Sequence, residues 1–244
     1  MKTLRILIYL LILVNLIFIG FFYSEYTGKA TWTIETANIT RIIDGDTFET
    51  DIGKIRLLGI NTPEKKKPGF EEAKEFLSLY LGKEVELICF KECDDIYERK
   101  LRYIFYENRN LNEKILSLGL AHYYSYSEDK YTKDLLKAEK QARDKERGIW
   151  ERSNNKCMSC IKLVELNEID PGEYIILENK CDFDCDLIGW TIKDDTASHI
   201  KTLDFELKAN SEFQINYEGR IWNDGGDSLY LRDESGKLVL FYRY

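Results

Sequence analysis

Between Ile6 and Tyr23 the chain carries an apolar run broken only by Asn15, with Lys2 and Arg5 ahead of it. Such a run has no polar face, so a surface helix of a soluble domain does not account for it. As a helix rising about 1.5 Å per residue, roughly eighteen residues reach about 27 Å, close to the thickness of a bilayer's hydrocarbon core. Cleavable signals have shorter apolar cores, of about 7–15 residues, with a small-X-small site close behind. Here the nearest such site, Gly28-Lys29-Ala30, lies well past the end of the run. Residues 1–30 are therefore expected to form an uncleaved signal anchor, a cleaved signal peptide being the alternative. The positive-inside bias keeps Lys2 and Arg5 in the cytoplasm. The expected location is the cell membrane, with one span and the bulk of the chain outside the cytoplasm, or the exterior if the signal is removed.

The 244 residues include 44% hydrophobic and 13% aromatic side chains and only three prolines, a composition that builds packed cores. Two histidines, His122 and His199, argue against a His-rich zinc site and against most His-based hydrolysis. The formal charge of −8 argues, taken whole, against a nucleic-acid binder. That average hides a split. Residues 157–244 carry 9 basic and 18 acidic side chains, a net of −9, whereas residues 1–156 hold 26 and 25, a net of +1. The stretch Glu151–Lys156 is polar and aperiodic and reads as a linker, extended here to residues 151–160. It separates an N-terminal domain over 31–150 from a C-terminal domain over 161–244.

The first domain mixes both hydrophobic periods. Strands are expected over Thr31–Ile43, Thr47–Asp51, Lys54–Ile60, Val85–Phe90 and Leu101–Tyr106, the second and third joined by a hairpin across Ile52-Gly53. Pro68 is expected to open a helix with Phe70, Ala73, Leu77, Tyr80 and Leu81 on one face. Asn110 and Glu113 resemble a capping box for a second helix, and a third runs from about Tyr131 to Arg147. Five short strands with three helices predict a small closed barrel with helices packed on it. The second domain alternates as strands throughout, with turns at Asp170-Pro171-Gly172, Asp224-Gly225-Gly226 and Ser235-Gly236, and predicts a β-sandwich.

Candidate chemistry gathers in the first domain. Asp44-Gly45-Asp46 places two carboxylates about a glycine turn, hard oxygens of the kind that hold Ca²⁺ or Mg²⁺, although a solvated turn uses the same residues. Strand alternation puts Arg56 on the face of Leu58 and Ile60, so its guanidinium needs an anionic partner or ligand. Pro63 stiffens Asn61-Thr62-Pro63-Glu64 and sets where Glu64 points. Arg99 follows Asp95-Ile96-Tyr97-Glu98 just ahead of a strand.

The blocks IDGDTF (Ile43–Phe48), IRLLGINTPE (Ile55–Glu64), DIYERKLRYIF (Asp95–Phe105), LNEKILSLGLA (Leu111–Ala121) and AEKQARDKERGIW (Ala138–Trp150) resemble the staphylococcal nuclease domain, in family order. The resemblance implies an OB-fold barrel and a Ca²⁺-dependent endonuclease hydrolysing DNA and RNA to 3′-phosphate products. It implies a metal site of Asp46, Asn61 and Thr62, the last through its carbonyl, and a catalytic trio of Arg56, Glu64 and Arg99. The physical roles are coherent: two guanidiniums and a cation neutralise phosphoryl charge, and Glu64 takes a proton from, or orients, the attacking water. Asn61 stands where the family usually has a carboxylate, which implies a higher Ca²⁺ requirement. Lys65-Lys66-Lys67 falls at a loop beside the family's active site, making Lys66 and Lys67 candidate substrate contacts, a solvated lysine run being the alternative. Tyr97 matches a phosphate-proximal tyrosine; Tyr124 and Tyr126 resemble nucleotide-stacking tyrosines. Single-stranded or breathing DNA and RNA are the expected partners.

Residues 161–244, with YIILEN (Tyr174–Asn179), DLIGWTIKD (Asp186–Asp194) and GDSLYLRDESGKLV (Gly226–Val239), resemble the lamin-tail domain. That implies an immunoglobulin-like sandwich serving binding or placement, with a partner the sequence does not name. Its net charge argues against direct contact with phosphates, and Trp190 is expected in its core. Cys157-x-x-Cys160 and Cys181-x-x-x-Cys185 read as disulfides outside the cytoplasm, or as a four-cysteine zinc site within it, and four cysteines leave three pairings open. Cys89 and Cys93 are spaced for a local bridge before Asp95. A different class of function, a catalytically inactive surface protein using barrel and sandwich as interaction modules, is the alternative.

Overall fold

A computed structural model describes residues 32–244 apart from 91–92, 125–127, 170–171, 197–198 and 224–225, and Asn15 in the N-terminal run. The expected signal anchor and Tyr126 lie outside the described residues. Among those described, no helix is long and apolar enough to cross a membrane.

A single long strand organises the N-terminal half. Strand β1 (Trp32–Ile42) pairs with β5 (Glu84–Phe90) along Trp32–Asn38 and with β2 (Thr47–Thr50) along Ile39–Ile42. The register shifts between Ile39 and Arg41, an irregularity that bends β1 so that one strand serves two sides of a curved sheet. β3 (Gly53–Leu57) follows β2 in a hairpin and then pairs in parallel with β6 (Lys100–Tyr106), which closes the five-stranded barrel. Helices α1 (Phe70–Ser78), α2 (Leu111–Ser117) and α3 (Thr132–Asp144) bury Ala73, Leu77, Ile115, Leu116, Leu135 and Ala138 in the core that also holds Phe48, Ile55, Leu57 and Leu87. The expected barrel with three helices is present.

Local chemistry explains the element ends. Asn110 accepts hydrogen bonds from the Asn112 and Glu113 amides, so the predicted cap of α2 is real. Pro68 does not open α1; the helix begins at Phe70 behind Gly69, whose φ of 90° only glycine takes up without strain. β3 stops at Leu57, and a turn at Leu58-Gly59 separates it from β4 (Ile60–Asn61), which pairs with β8 (His122–Tyr123). β7 (Arg109–Asn110) extends the sheet beside β6.

Beyond Trp150 the regular elements among the described residues are all strands. β9 (Ile161–Asn167), β10 (Tyr174–Asn179) and β15 (Ser211–Asn216) make one sheet. β12 (Thr191–Lys193), β13 (Ile200–Thr202), β16 (Ser228–Arg232) and β17 (Leu238–Arg243) make another, and β11 (Cys185–Asp186) pairs with β14 (Glu206–Leu207). Side chains from both larger sheets meet in one core around Trp190, Trp222, Leu177, Ile192 and Leu231. All six cysteines are bridged, as Cys89–Cys93, Cys157–Cys185 and Cys160–Cys181. That pairing removes the four-cysteine zinc alternative.

The two halves are stitched together. Ser153 N–H donates to Leu238 O at 2.9 Å and Leu238 N–H to Glu151 O at 2.9 Å, so the segment read as a linker is hydrogen-bonded to β17 at its start. Trp150, Ile149 and Ala142 share an apolar cluster with Tyr230 and Leu238. Arg243 grips Glu139, which is 1% exposed, through both guanidinium nitrogens at 2.6 and 3.2 Å.

Candidate active site

Three strand ends converge at one edge of the barrel. Thr47 opens β2 directly opposite Arg56 of β3, so Asp46 lies one residue from that pair, and Leu57 N–H donates to Asp46 O at 2.9 Å. β4 then delivers Asn61 and Thr62. Gly45 permits this: a Cβ there would come within 2.5 Å of Ala73 Cβ and 2.9 Å of Thr62 Oγ1. The Asp44–Asp46 turn is thereby pressed between α1 and the loop after β4.

Asp46, 6% exposed, is the hub. Its Oδ2 accepts from Thr62 N at 2.9 Å and Thr62 Oγ1 at 2.8 Å, and Oδ1 accepts from Thr47 Oγ1 at 3.0 Å. Arg56 Nη1 lies 2.9 Å from Asp46 Oδ2, while Arg56 Nη2 donates to Asn61 Oδ1 at 3.2 Å. The guanidinium thus found the anionic partner that its half-buried position demands. It does not share a face with core residues, however. Ile55 and Leu57 are the buried neighbours on β3, and the turn at Leu58-Gly59 ends the alternation that placed Arg56 beside Leu58 and Ile60.

Asp44 also belongs to this cluster. It accepts the Asp46 amide at 3.1 Å, and burial, reinforced by the charge of Asp46, pushes its carboxyl up to about 6. Two neighbouring carboxyl groups, the Asn61 amide oxygen and the Thr62 carbonyl are hard oxygens, and the mutual repulsion of the carboxylates is the electrostatic condition that a cation relieves. Among the described residues no group of three or more His, Cys, Asp or Glu side chains could hold a metal ion. A site here therefore has to rest on two carboxylates and neutral oxygens.

Arg99 sits in the turn ahead of β6. Asp95 Oδ1 accepts the Tyr97 and Arg99 amides at 2.8 and 2.9 Å, and its Oδ2 takes Arg99 Nε at 2.6 Å. Burial alone would raise the Asp95 carboxyl, but these bonds hold it below the usual range. Arg99 lies 5.4 Å from the ring centre of Tyr97, which is 72% exposed. The parallel pairing of Arg56 with Leu101 puts the Arg99 turn on the strand next to Arg56. Glu64, Lys65, Lys66 and Lys67 are exposed on the loop after β4, and no ion pair joins Glu64 to Arg56 or Arg99 among the described residues. Tyr124 follows β8 and donates its amide to Gly59 O at 3.1 Å.

Residues 54–152 match the staphylococcal nuclease homologue family. A thermonuclease of Staphylococcus hyicus is 33% identical over 135 residues, covering 50% of this chain and 80% of that protein. The chain belongs to the staphylococcal nuclease family. A thermonuclease of Staphylococcus intermedius is 34% identical over 130 residues (48% of this chain, 77% of that one). An uncharacterized endonuclease of Haemophilus influenzae is 30% identical over 125 residues (49% and 68%). In this staphylococcal nuclease homologue Arg56, Asn61, Thr62, Glu64, Tyr97, Arg99 and Tyr124 fall inside the matched stretch, and Asp46 precedes it.

Sequence reasoning missed residues that reach the family's site from elsewhere. Asp95 was legible as the i,i+4 partner of Arg99. Asp195, whose carbonyl accepts Asn61 Nδ2 at 3.3 Å across 134 residues, carried no sequence signal. Nor did His122, buried against Trp150 and Tyr230, whose imidazole is held neutral by burial and by the charges of Lys193, Arg232 and Arg243.

Proposed function

We propose that this chain is an exported, Ca²⁺-dependent endonuclease that hydrolyses DNA and RNA to 3′-phosphate products, anchored by its N-terminal helix. The observation that carries the reading is the placement of Arg56 between Asp46 and Asn61, in a chain of this family, with Asn61, Thr62 and Glu64 lining one cleft. Disulfides engaging all six cysteines support an oxidising compartment.

Asp46, Asn61 Oδ1 and the Thr62 carbonyl would hold Ca²⁺, with Asp44 adjacent. The ion, when bound, supplies positive charge against the phosphoryl oxygens. Asn61 contributes no charge, so half-saturation is expected at a higher Ca²⁺ concentration than a second carboxylate would give. Arg56, which here holds Asp46 and Asn61, and Arg99, which here holds Asp95, would turn their planar forks to phosphate oxygens and stabilise the charge that builds as water adds to phosphorus. Glu64, exposed and unpaired with either arginine among the described residues, is free to orient that water and accept its proton. The P–O5′ bond then breaks, O5′ takes a proton from solvent water to leave as a 5′-hydroxyl, and the other product carries a terminal 3′-phosphate. Lys66, Lys67, Tyr97, Tyr124 and Tyr126 are assigned as substrate contacts from the sequence, and Lys66 and Lys67 line the cleft beside Glu64. Residues 161–244 are read as an immunoglobulin-like tail for binding or placement.

Denatured DNA incubated with Ca²⁺ or with a chelator, native chain against Glu64→Gln, tests the mechanism. Cleavage is expected only for the native chain with Ca²⁺, with Glu64→Gln slower by about 10²–10⁴-fold. Cleavage indifferent to both changes would reject it.

A further inference from the structure

The C-terminal sheets meet the candidate active site. A cleft of about 530 Å³ runs from Asn61 and Glu64 between the barrel's Lys66–Lys67 loop and strands β12, β13 and β16 of the C-terminal half. That volume lies within the roughly 300–1,000 Å³ of sites that enclose ligands. One wall carries Lys66 and Lys67 with Glu64 and Glu72, the other Lys193, Arg232 and Lys237 with Asp233 and Glu234.

The second wall is fixed in place. Arg232 Nη1 donates to Ile149 O at 2.7 Å, Asn61 Nδ2 donates to Asp195 O, and the Arg243–Glu139 pair lies behind it. Its acidic residues are largely engaged. Asp194 takes Thr196 and His199, Asp195 takes Tyr230 and Ser228, and Asp233 takes the Ser235 and Lys237 amides. Lys193 Nζ, by contrast, is engaged by a neutral oxygen, the Asp194 carbonyl at 2.9 Å. Burial lowers the basicity of its ammonium, the neighbouring Asp194, Asp195 and Asp227 carboxylates counter that, and the side chain lines the cleft where an anion can reach it. With three cations against Asp233 and Glu234 along the cleft, the overall −9 of this half is a poor guide to what the wall presents.

We infer that β12–β13 and β16 form the second wall of the nucleic-acid channel, with Lys193 binding a phosphodiester flanking the scissile one. The inference rests on the nuclease reading above and adds a subsite built by the C-terminal half. Asn61 belongs to both: its amide oxygen faces Arg56, and its amide nitrogen ties the second wall to the site. A carboxylate at 61 could not donate to the Asp195 carbonyl.

The test uses the full chain with Glu64→Gln as background, so that substrate binds without being cut. Fluorescein-labelled oligothymidylates of three and twelve nucleotides are titrated in Ca²⁺ at several salt concentrations, with and without Lys193→Met. Lys193→Met is expected to weaken the twelve-mer about tenfold and the trinucleotide less than twofold, and to reduce the salt slope for the twelve-mer by about 0.7. Lys193→Arg should restore both, which a merely misfolded wall would not explain. Unchanged twelve-mer affinity in Lys193→Met, while the native chain still cleaves DNA, overturns the subsite and leaves the nuclease reading standing. A native chain that neither cuts nor binds the twelve-mer removes both.

Discussion

Asp44 shows how a single side chain reports the purpose of its surroundings. Its carboxyl is raised from 3.8 to about 6, first by burial and then by the charge of Asp46. A folded-state value above the unfolded one means that the contribution of this group to stability is fully present below about pH 4 and is lost as pH rises through about 6. Without Ca²⁺ the native chain should therefore melt lower at pH 8 than Asp44→Asn, and the two should converge at pH 4. Thermal scans in chelator at both pH values measure this, and equal melting temperatures at pH 8 would contradict it. The acidic turn was visible in the sequence as a cation-binding candidate. The press of Gly45 against Ala73 and Thr62, which excludes water from the pair, was not.

At the scale of elements, the Arg99 turn depends on its braces. Cys89 ends β5 in a bridge to Cys93, Cys93 O accepts the Leu101 amide at 2.8 Å, and Asp95 closes on Arg99. The double substitution Cys89→Ser, Cys93→Ser removes the covalent brace while leaving every charged group in place. It is expected to lower the cleavage rate by up to about 10²-fold, the cost of an ångström-scale misplacement of a catalytic group. Initial rates on denatured DNA check this, and a native rate would show that β6 alone positions Arg99. Periodicity located the barrel strands and helices well because each buries one face. It failed at Leu58-Gly59, where Gly59 adopts a φ of 73° and reverses the facing of the residues after it. It also failed at Pro68, where Gly69 takes the cap.

For the whole molecule, the Arg243–Glu139 pair is the strongest polar tie between the halves. Glu139 also accepts the Tyr123 amide at 2.8 Å, so it links α3, the strand beside Asn61 and the C-terminal sheets. Glu139→Ala leaves Arg243, whose side chain is 27% exposed, with Ser228 Oγ but without its carboxylate, and is expected to cost roughly 3 kcal/mol. Denaturant unfolding of the full chain would show it. A loss within about 0.5 kcal/mol, the range of ordinary surface substitutions, would mean that the apolar cluster around Trp150 carries the interface by itself.

What the sequence determined alone was local or patterned: the barrel strands, the Asn110 cap, the bridged Cys89–Cys93 spacing and the buried Trp190, together with the residue types of the proposed site. Nearest neighbours and periodicity are enough to set all of these. The pairing Cys157–Cys185 and Cys160–Cys181 required three dimensions to choose among three possibilities. So did the meeting of Asn61 with Asp195. A net charge summed over 88 residues says nothing of which side chains already hold partners. Only the folded chain, by spending its carboxylates on its own hydroxyls, amides and cations, decided that an acidic half would turn a lysine toward the cleft.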